Sequence, residues 1–187
     1  MAEVLFINDV YIKTYTQVNG SVDSNLLYPS IYLAQDKYLM PYLGTNLYEK
    51  LKTDIAANDL SGDYQTLVDD YCLKVVLWFT MVEALPNLQY KIDNSTLVQR
   101  NSEDATAVSD AVMKDAIDRA MSNATFYLNL LVDYLCAESS KFPEYSNNVW
   151  PQRCPITLKK ASFSYMISTG NTDTSRTYYE KRISEIP

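Results

Sequence analysis

The chain has 187 residues, with 23 acidic and 16 basic side chains, no histidine and a net charge of -7. That length buries enough surface for one core without help from disulfides or metals, and an ordinary share of apolar residues excludes disorder of the whole chain. With a pI of about 4.6 and no basic block, the chain is not built to coat duplex DNA, although an acidic wall past which DNA slides is compatible with it.

Glu3 and an apolar run of only a few residues make a poor signal peptide, and the longest uncharged apolar stretch, Val75 to Val82, is far shorter than the roughly 20 residues that span a bilayer. A soluble protein in a reducing setting is expected, with Cys72, Cys136 and Cys154 as separate thiols. Val4, Phe6, Val10 and Ile12 alternate loosely before Asn19-Gly20, so the N-terminal segment is either extended or opens with a short helix.

After Ser24, Leu27, Ile31, Ala34 and Tyr38 recur at helical spacing, and Pro41 is expected to close that helix. Gly44 is a stop, and Thr45 is placed to cap a second helix carrying Leu47, Leu51 and Ile55. Ser61 is placed to cap a longer one, in which Tyr64, Leu67, Val68, Tyr71, Cys72, Val75, Trp78, Phe79, Val82 and Leu85 form a wide apolar stripe ending near Pro86.

At 1.5 Å per residue that helix is about 37 Å long and needs an equally long partner. Val108, Val112, Ala116, Ala120, Ala124, Tyr127, Leu131 and Leu135 supply it, with Met113, Ile117, Met121 and Leu128 widening the stripe. Between the two, Asp93 to Thr106 reads as a polar, exposed connection and a candidate contact loop.

From Ser139 the character changes, because Phe142-Pro143, Trp150-Pro151 and Cys154-Pro155 break helices. Ile156-x-Leu158 and Phe163-x-Tyr165-x-Ile167 alternate like strands, and a short last helix would carry Tyr178, Tyr179 and Ile183. The predicted fold is mainly α: a helical bundle over residues 1–138 with two long antiparallel helices and short N-terminal ones, then a C-terminal arm over 139–187 with one or two strands and a short helix.

Without histidine the chain lacks the commonest general base and the usual zinc and iron ligand. Its four glycines never cluster, so no phosphate-cradling loop of the Walker or Rossmann kind exists. Cys72 lies on the core stripe and reads as packing rather than a nucleophile.

Glu83, which interrupts an apolar run, reads as an ion pair or rim position rather than a catalytic acid, since no second catalytic group stands at a fixed spacing from it. Asp63, Asp69, Asp70, Asp110, Asp115 and Asp118 fall mostly off the stripes and form solvated faces, with no calcium-loop pattern around Glu103-Asp104. No enzyme, cofactor or metal site is predicted.

The 16 tyrosines stand out, because tyrosine suits interfaces that are part apolar and part wet. An arm with little core of its own needs a surface to cover it. Ile156, Leu158, Phe163, Tyr165, Ile167, Tyr178 and Tyr179 are therefore the candidate interface residues, docking by strand addition or aromatic anchoring.

The segment Leu27-Tyr28-Pro29-Ser30-Ile31-x-x-Ala34-Gln35-Asp36, followed by Leu39-Met40-Pro41-Tyr42-Leu43-Gly44 and Leu47-Tyr48-x-x-Leu51, resembles the opening helices of head-to-tail connector proteins of tailed bacteriophages. It is most like the ring proteins of crAss-like phages. The resemblance implies a virion structural protein of the portal vertex, assembled in the host cytoplasm as a ring, expected as a dodecamer. It would bind the portal, offer a platform to a downstream tail protein, and let genomic DNA pass through its lumen without sequence-specific or membrane contact. The family brings no catalytic residues. The competing readings are a small cytosolic helical module that binds a protein or ligand between the long helices, and, behind it, an enzyme using carboxylates alone.

Overall fold

The computed structural model describes residues 4–18, 20, 22–93, 96–99, 109–147 and 155–156. The N-terminal segment turns helical as α1 (Asp9–Tyr15), capped by the Asn8 side chain, which accepts from the Tyr11 N–H at 2.8 Å. Then come α2 (Ser24–Ala34), a π-helical turn (Gln35–Leu39) and α3 (Met40–Leu43) in one unbroken helical path.

Pro41 therefore does not close the helix. The preceding π turn, in which the Met40 N–H reaches back to the Gln35 carbonyl, widens the spiral ahead of the ring that would otherwise crowd it. Gly44, at φ 77°, is what ends the path, in a left-handed region that a side chain would resist. It also serves as the N-cap of α4 (Thr45–Ala57), the position expected of Thr45, and Asn58 closes α4 in the left-handed conformation.

Ser61 takes the N-cap position of α5 (Gly62–Thr66), which continues through a second π turn (Leu67–Cys72) into α6 (Leu73–Gln89). Pro86 sits inside α6 rather than at its end. Leu85 and Leu88 pack on the core, and Asn87 Nδ2 donates to the Glu83 carbonyl at 3.0 Å, so core packing and this local side-chain bond hold the turn that proline weakens.

An antiparallel ribbon, β1 (Tyr90–Asp93) and β2 (Thr96–Gln99), overlaps the start of the stretch expected as an exposed connection and pairs Tyr90 with Gln99 and Asp93 with Thr96. After it runs α7 (Asp110–Ala137), then a 3₁₀ turn (Ser139–Lys141) and α8 (Pro143–Ser146).

The fold is mainly α. α6 is its axle, with α2 and α7 both packed against it and Val75, Val76, Leu77, Phe79, Met81, Val82 and Ala84 all buried. A helix apolar on every side is one surrounded by others. The α7 stripe falls as expected at Ala120, Ala124, Leu128, Leu131 and Leu135, all buried. Its partner runs the other way: Tyr71 stacks on Tyr134 at 4.3 Å, while Leu85 and Leu88 lie beside Val112 and Ala116.

Residues 139–147 continue the bundle. Phe142 is fully buried, edge-on to Tyr64 at 5.4 Å, Tyr64 OH donates to Glu144 at 2.7 Å, and the Asn147 carbonyl accepts from Asn46. Burial and the Glu144 carboxylate push the Tyr64 phenol up to about 12. Residues 158–187 lie outside the described residues.

Candidate interaction site

At the N-terminal edge, the buried Gln35 side chain acts as a clamp: its Oε1 accepts from the Phe6 N–H at 3.3 Å and its Nε2 donates to the Val4 carbonyl at 3.1 Å. The π turn carries this amide toward residues 4–6, where Phe6 stacks on Tyr48 at 5.7 Å. This holds the chain that leads into α1, and with it one wall of a cleft.

The cleft encloses about 1030 Å³. Thr14 to Val18 and Val22 form one wall, Trp78, Met81, Leu85 and Leu88 the second, and the first half of α7 from Val112 to Asn123 the third. Its lining is chiefly apolar, and the charged side chains in it, Asp115 and Arg119, neutralise each other at 2.7 Å on the exposed rim. Tyr15 (61% exposed) and Val112 (58%) stand in the open, and further along α7 so do Phe126 (58%) and Leu130.

Val112 and Met121 were expected on the core stripe, but both are exposed, because the buried arc of α7 centres on Ala120, Ala124, Leu131 and Leu135 and leaves their positions at its edges. The apolar stripe does not contain Phe126 and Leu130. The signal for them was the adjacent apolar pairs Phe126-Tyr127 and Leu130-Leu131, since successive helical residues point about 100° apart and both members cannot face one core.

Glu83 forms an ion pair. Lys37 Nζ donates to its Oε1 at 2.8 Å and Tyr38 OH donates to the same oxygen at 2.7 Å, with the Tyr38 ring stacked on Phe79 at 4.0 Å. Partial burial pushes the Glu83 carboxyl up, but the two donated hydrogen bonds outweigh it and hold the group below the usual carboxylate range.

A carboxyl whose folded pKa is depressed contributes stability above its unfolded pKa of about 4.3 and loses that contribution as pH falls through the folded value. Glu83→Gln is therefore expected to flatten the stability profile below that pH. At neutral pH it is expected to cost under about 1 kcal/mol, since Lys37 is half exposed. Urea unfolding from pH 7 to pH 3 measures both effects.

Cys72 is fully buried and its thiol is pushed far up by that burial, whereas Cys136 is exposed. Maleimide labelling of the folded chain, read by peptide mass, is expected to modify Cys136 within minutes and Cys72 only on unfolding. Among the described residues no group of three or more acidic or cysteine side chains could hold a metal ion, and no helix is long and apolar enough to cross a membrane.

Of the predicted interface residues, Ile156 is 40% exposed and donates its N–H to the Pro41 carbonyl at 2.8 Å. Leu158, Phe163, Tyr165, Ile167, Tyr178 and Tyr179 lie outside the described residues.

Fold and cleft together define a helical-bundle protein with a chiefly apolar cleft bordered by exposed aromatic and aliphatic side chains. The chain belongs to a family of unknown function (DUF6712), whose model matches residues 39–153, more than half of its length. No curated protein and no solved structure matches it.

Proposed function

We propose that this chain is a structural virion protein, a subunit of the head-to-tail connector ring of a tailed bacteriophage. In that role it binds the portal, extends the DNA channel and presents a platform to the next tail component. The observation that carries the reading is the character of the cleft and its border: an open apolar concavity, with Tyr15, Val112, Phe126 and Leu130 exposed around and beyond it and its charges paired off. Such a surface is suited to holding another protein rather than to moving protons or electrons.

The resemblance of residues 27–51 to connector proteins supports the same role. So does the absence of histidine, which leaves the chain without the usual acid-base centre. The chain then works through copies of itself in a ring, expected as a dodecamer, through the portal and through a downstream tail protein. The C-terminal segment, with its strand-like alternation, docks outside its own subunit. Its place is the neck of the virion, reached by assembly in the host cytoplasm.

The position of the cleft between the two long helices also favours a second reading, a helical module that holds one protein segment without forming a ring. Native mass spectrometry of the full chain, alone and with the portal of the same phage, separates the two. A subunit that becomes a ring on the portal is the expected result. A chain that stays monomeric and ignores the portal overturns the connector role.

A further inference from the structure

We infer that the cleft walled by Thr14 to Val18, α6 and α7 receives residues 158–187 of a neighbouring copy of this chain. The inference rests on the assembly reading above, which sends that segment out of its own subunit, and it names the receiving surface.

Three observations point to this occupant. The first is size: about 1030 Å³ is at the upper limit of the roughly 300–1,000 Å³ that single small molecules fill, and it suits several side chains of a peptide. The second is chemistry. Of the longer segments outside the described residues, 100–108 carries Arg100, Asn101, Ser102, Glu103 and Asp104 and one large apolar side chain, Val108, a poor match for walls of Trp78, Met81, Leu85 and Val112. Residues 158–187 instead bring Phe163, Tyr165, Met166, Ile167, Tyr178 and Tyr179.

The third is charge. Residues 158–187 hold five basic and three acidic side chains, a net of +2, against -9 for the remainder of the chain. Opposite signs steer the segment toward the body of another copy and offset part of the repulsion between two acidic bodies.

Two of the walls, α6 and α7, are helices whose backbone groups are spent internally, and the third is the short segment leaving α1, so recognition is by aromatic and aliphatic anchors entering the cleft and not by strand addition. Tyr165 and its apolar neighbours Phe163 and Ile167 are the expected anchors.

The test uses the full chain with the photoreactive amino acid p-benzoylphenylalanine in place of Tyr165, as an equal mixture of nitrogen-14 and nitrogen-15 protein, illuminated under conditions of assembly. Mixed-label crosslinks to peptides within residues 78–88 or 112–123 are the expected result. In parallel, Val112→Asp on the exposed border and Ala116→Trp inside the cleft are each expected to weaken association by roughly tenfold or more in sedimentation, with helical circular dichroism unchanged.

Same-label crosslinks alone overturn the inference, because the segment then folds onto its own subunit. Oligomers that crosslink at another surface, or not at all, or that tolerate Val112→Asp, overturn the docking site and leave the ring reading standing. If no association occurs even with the portal present, the ring reading falls as well.

Discussion

Replacing Gln35 with Leu is expected to destabilise the protein by about 3 kcal/mol, because it removes the side-chain partner of both the Phe6 N–H and the Val4 carbonyl. Leucine keeps nearly the same volume, so the loss reads the two hydrogen bonds rather than a cavity. In a domain of this size the melting temperature is then expected to fall by about 6–12 °C.

Gln35→Glu sharpens the point. The carboxylate still accepts from Phe6 but cannot donate to Val4, and it places a charge where the native residue is fully buried. It is expected to cost at least as much at neutral pH. A urea midpoint unchanged by either substitution would mean that residues 4–6 are held by Phe6 packing alone. Because that segment leads into one wall of the cleft, the substitutions are also expected to loosen the binding surface before the bundle itself unfolds.

The second large effect is expected at Phe142. Its ring is fully buried between Tyr64 and Tyr134, so Phe142→Ala removes an aromatic side chain from a packed site and is expected to cost about 3–5 kcal/mol. Denaturant unfolding measures this directly. A cost below about 1 kcal/mol would instead place residues 139–147 with the arm, as the run of prolines alone suggests. Tyr64→Phe makes a graded control, keeping the edge-on ring and losing only the hydroxyl that donates to Glu144.

Much of the bundle was legible because helical periodicity and burial are the same fact seen twice. Leu27, Ile31, Ala34, Leu47, Leu51, Ala124, Leu131 and Leu135 recur at helical spacing, and every one of them is fully buried. The glycine stop at Gly44 was legible for a different reason, since few other residues tolerate a φ of 77°.

The prolines misled because local preference was read as decisive. Pro41 and Pro86 both lie within helical paths, one behind a widened turn and the other in a turn held by packing and by Asn87. The π turns left no mark in the pattern of apolar residues, and the clamp at Gln35 was invisible for the same reason: a polar residue inside a helical stripe gives no sign of which backbone it reaches.

For the cleft, the sequence offered its walls as core. Trp78 and Leu85 were placed on the buried stripe, and what makes them a binding surface is that the opposite side is only partly filled, a property of three elements meeting and not of any one. Glu83 was legible as an ion pair in kind, but its partners, Lys37 and Tyr38, come from a helix more than forty residues away.

The two π turns carry a consequence for how this family tolerates changes in length. A π turn is an α-helix with one residue to spare, so removing a single residue from Gln35–Leu39 leaves a continuous helix behind. The two flanking helices then keep nearly their present orientation, because the widened turn had absorbed the extra residue locally. What the spare residue shifts is the frame of the apolar stripe: Ala34 and Leu39, five residues apart, are both fully buried, an offset that an unbroken α-helix would not bring to one face.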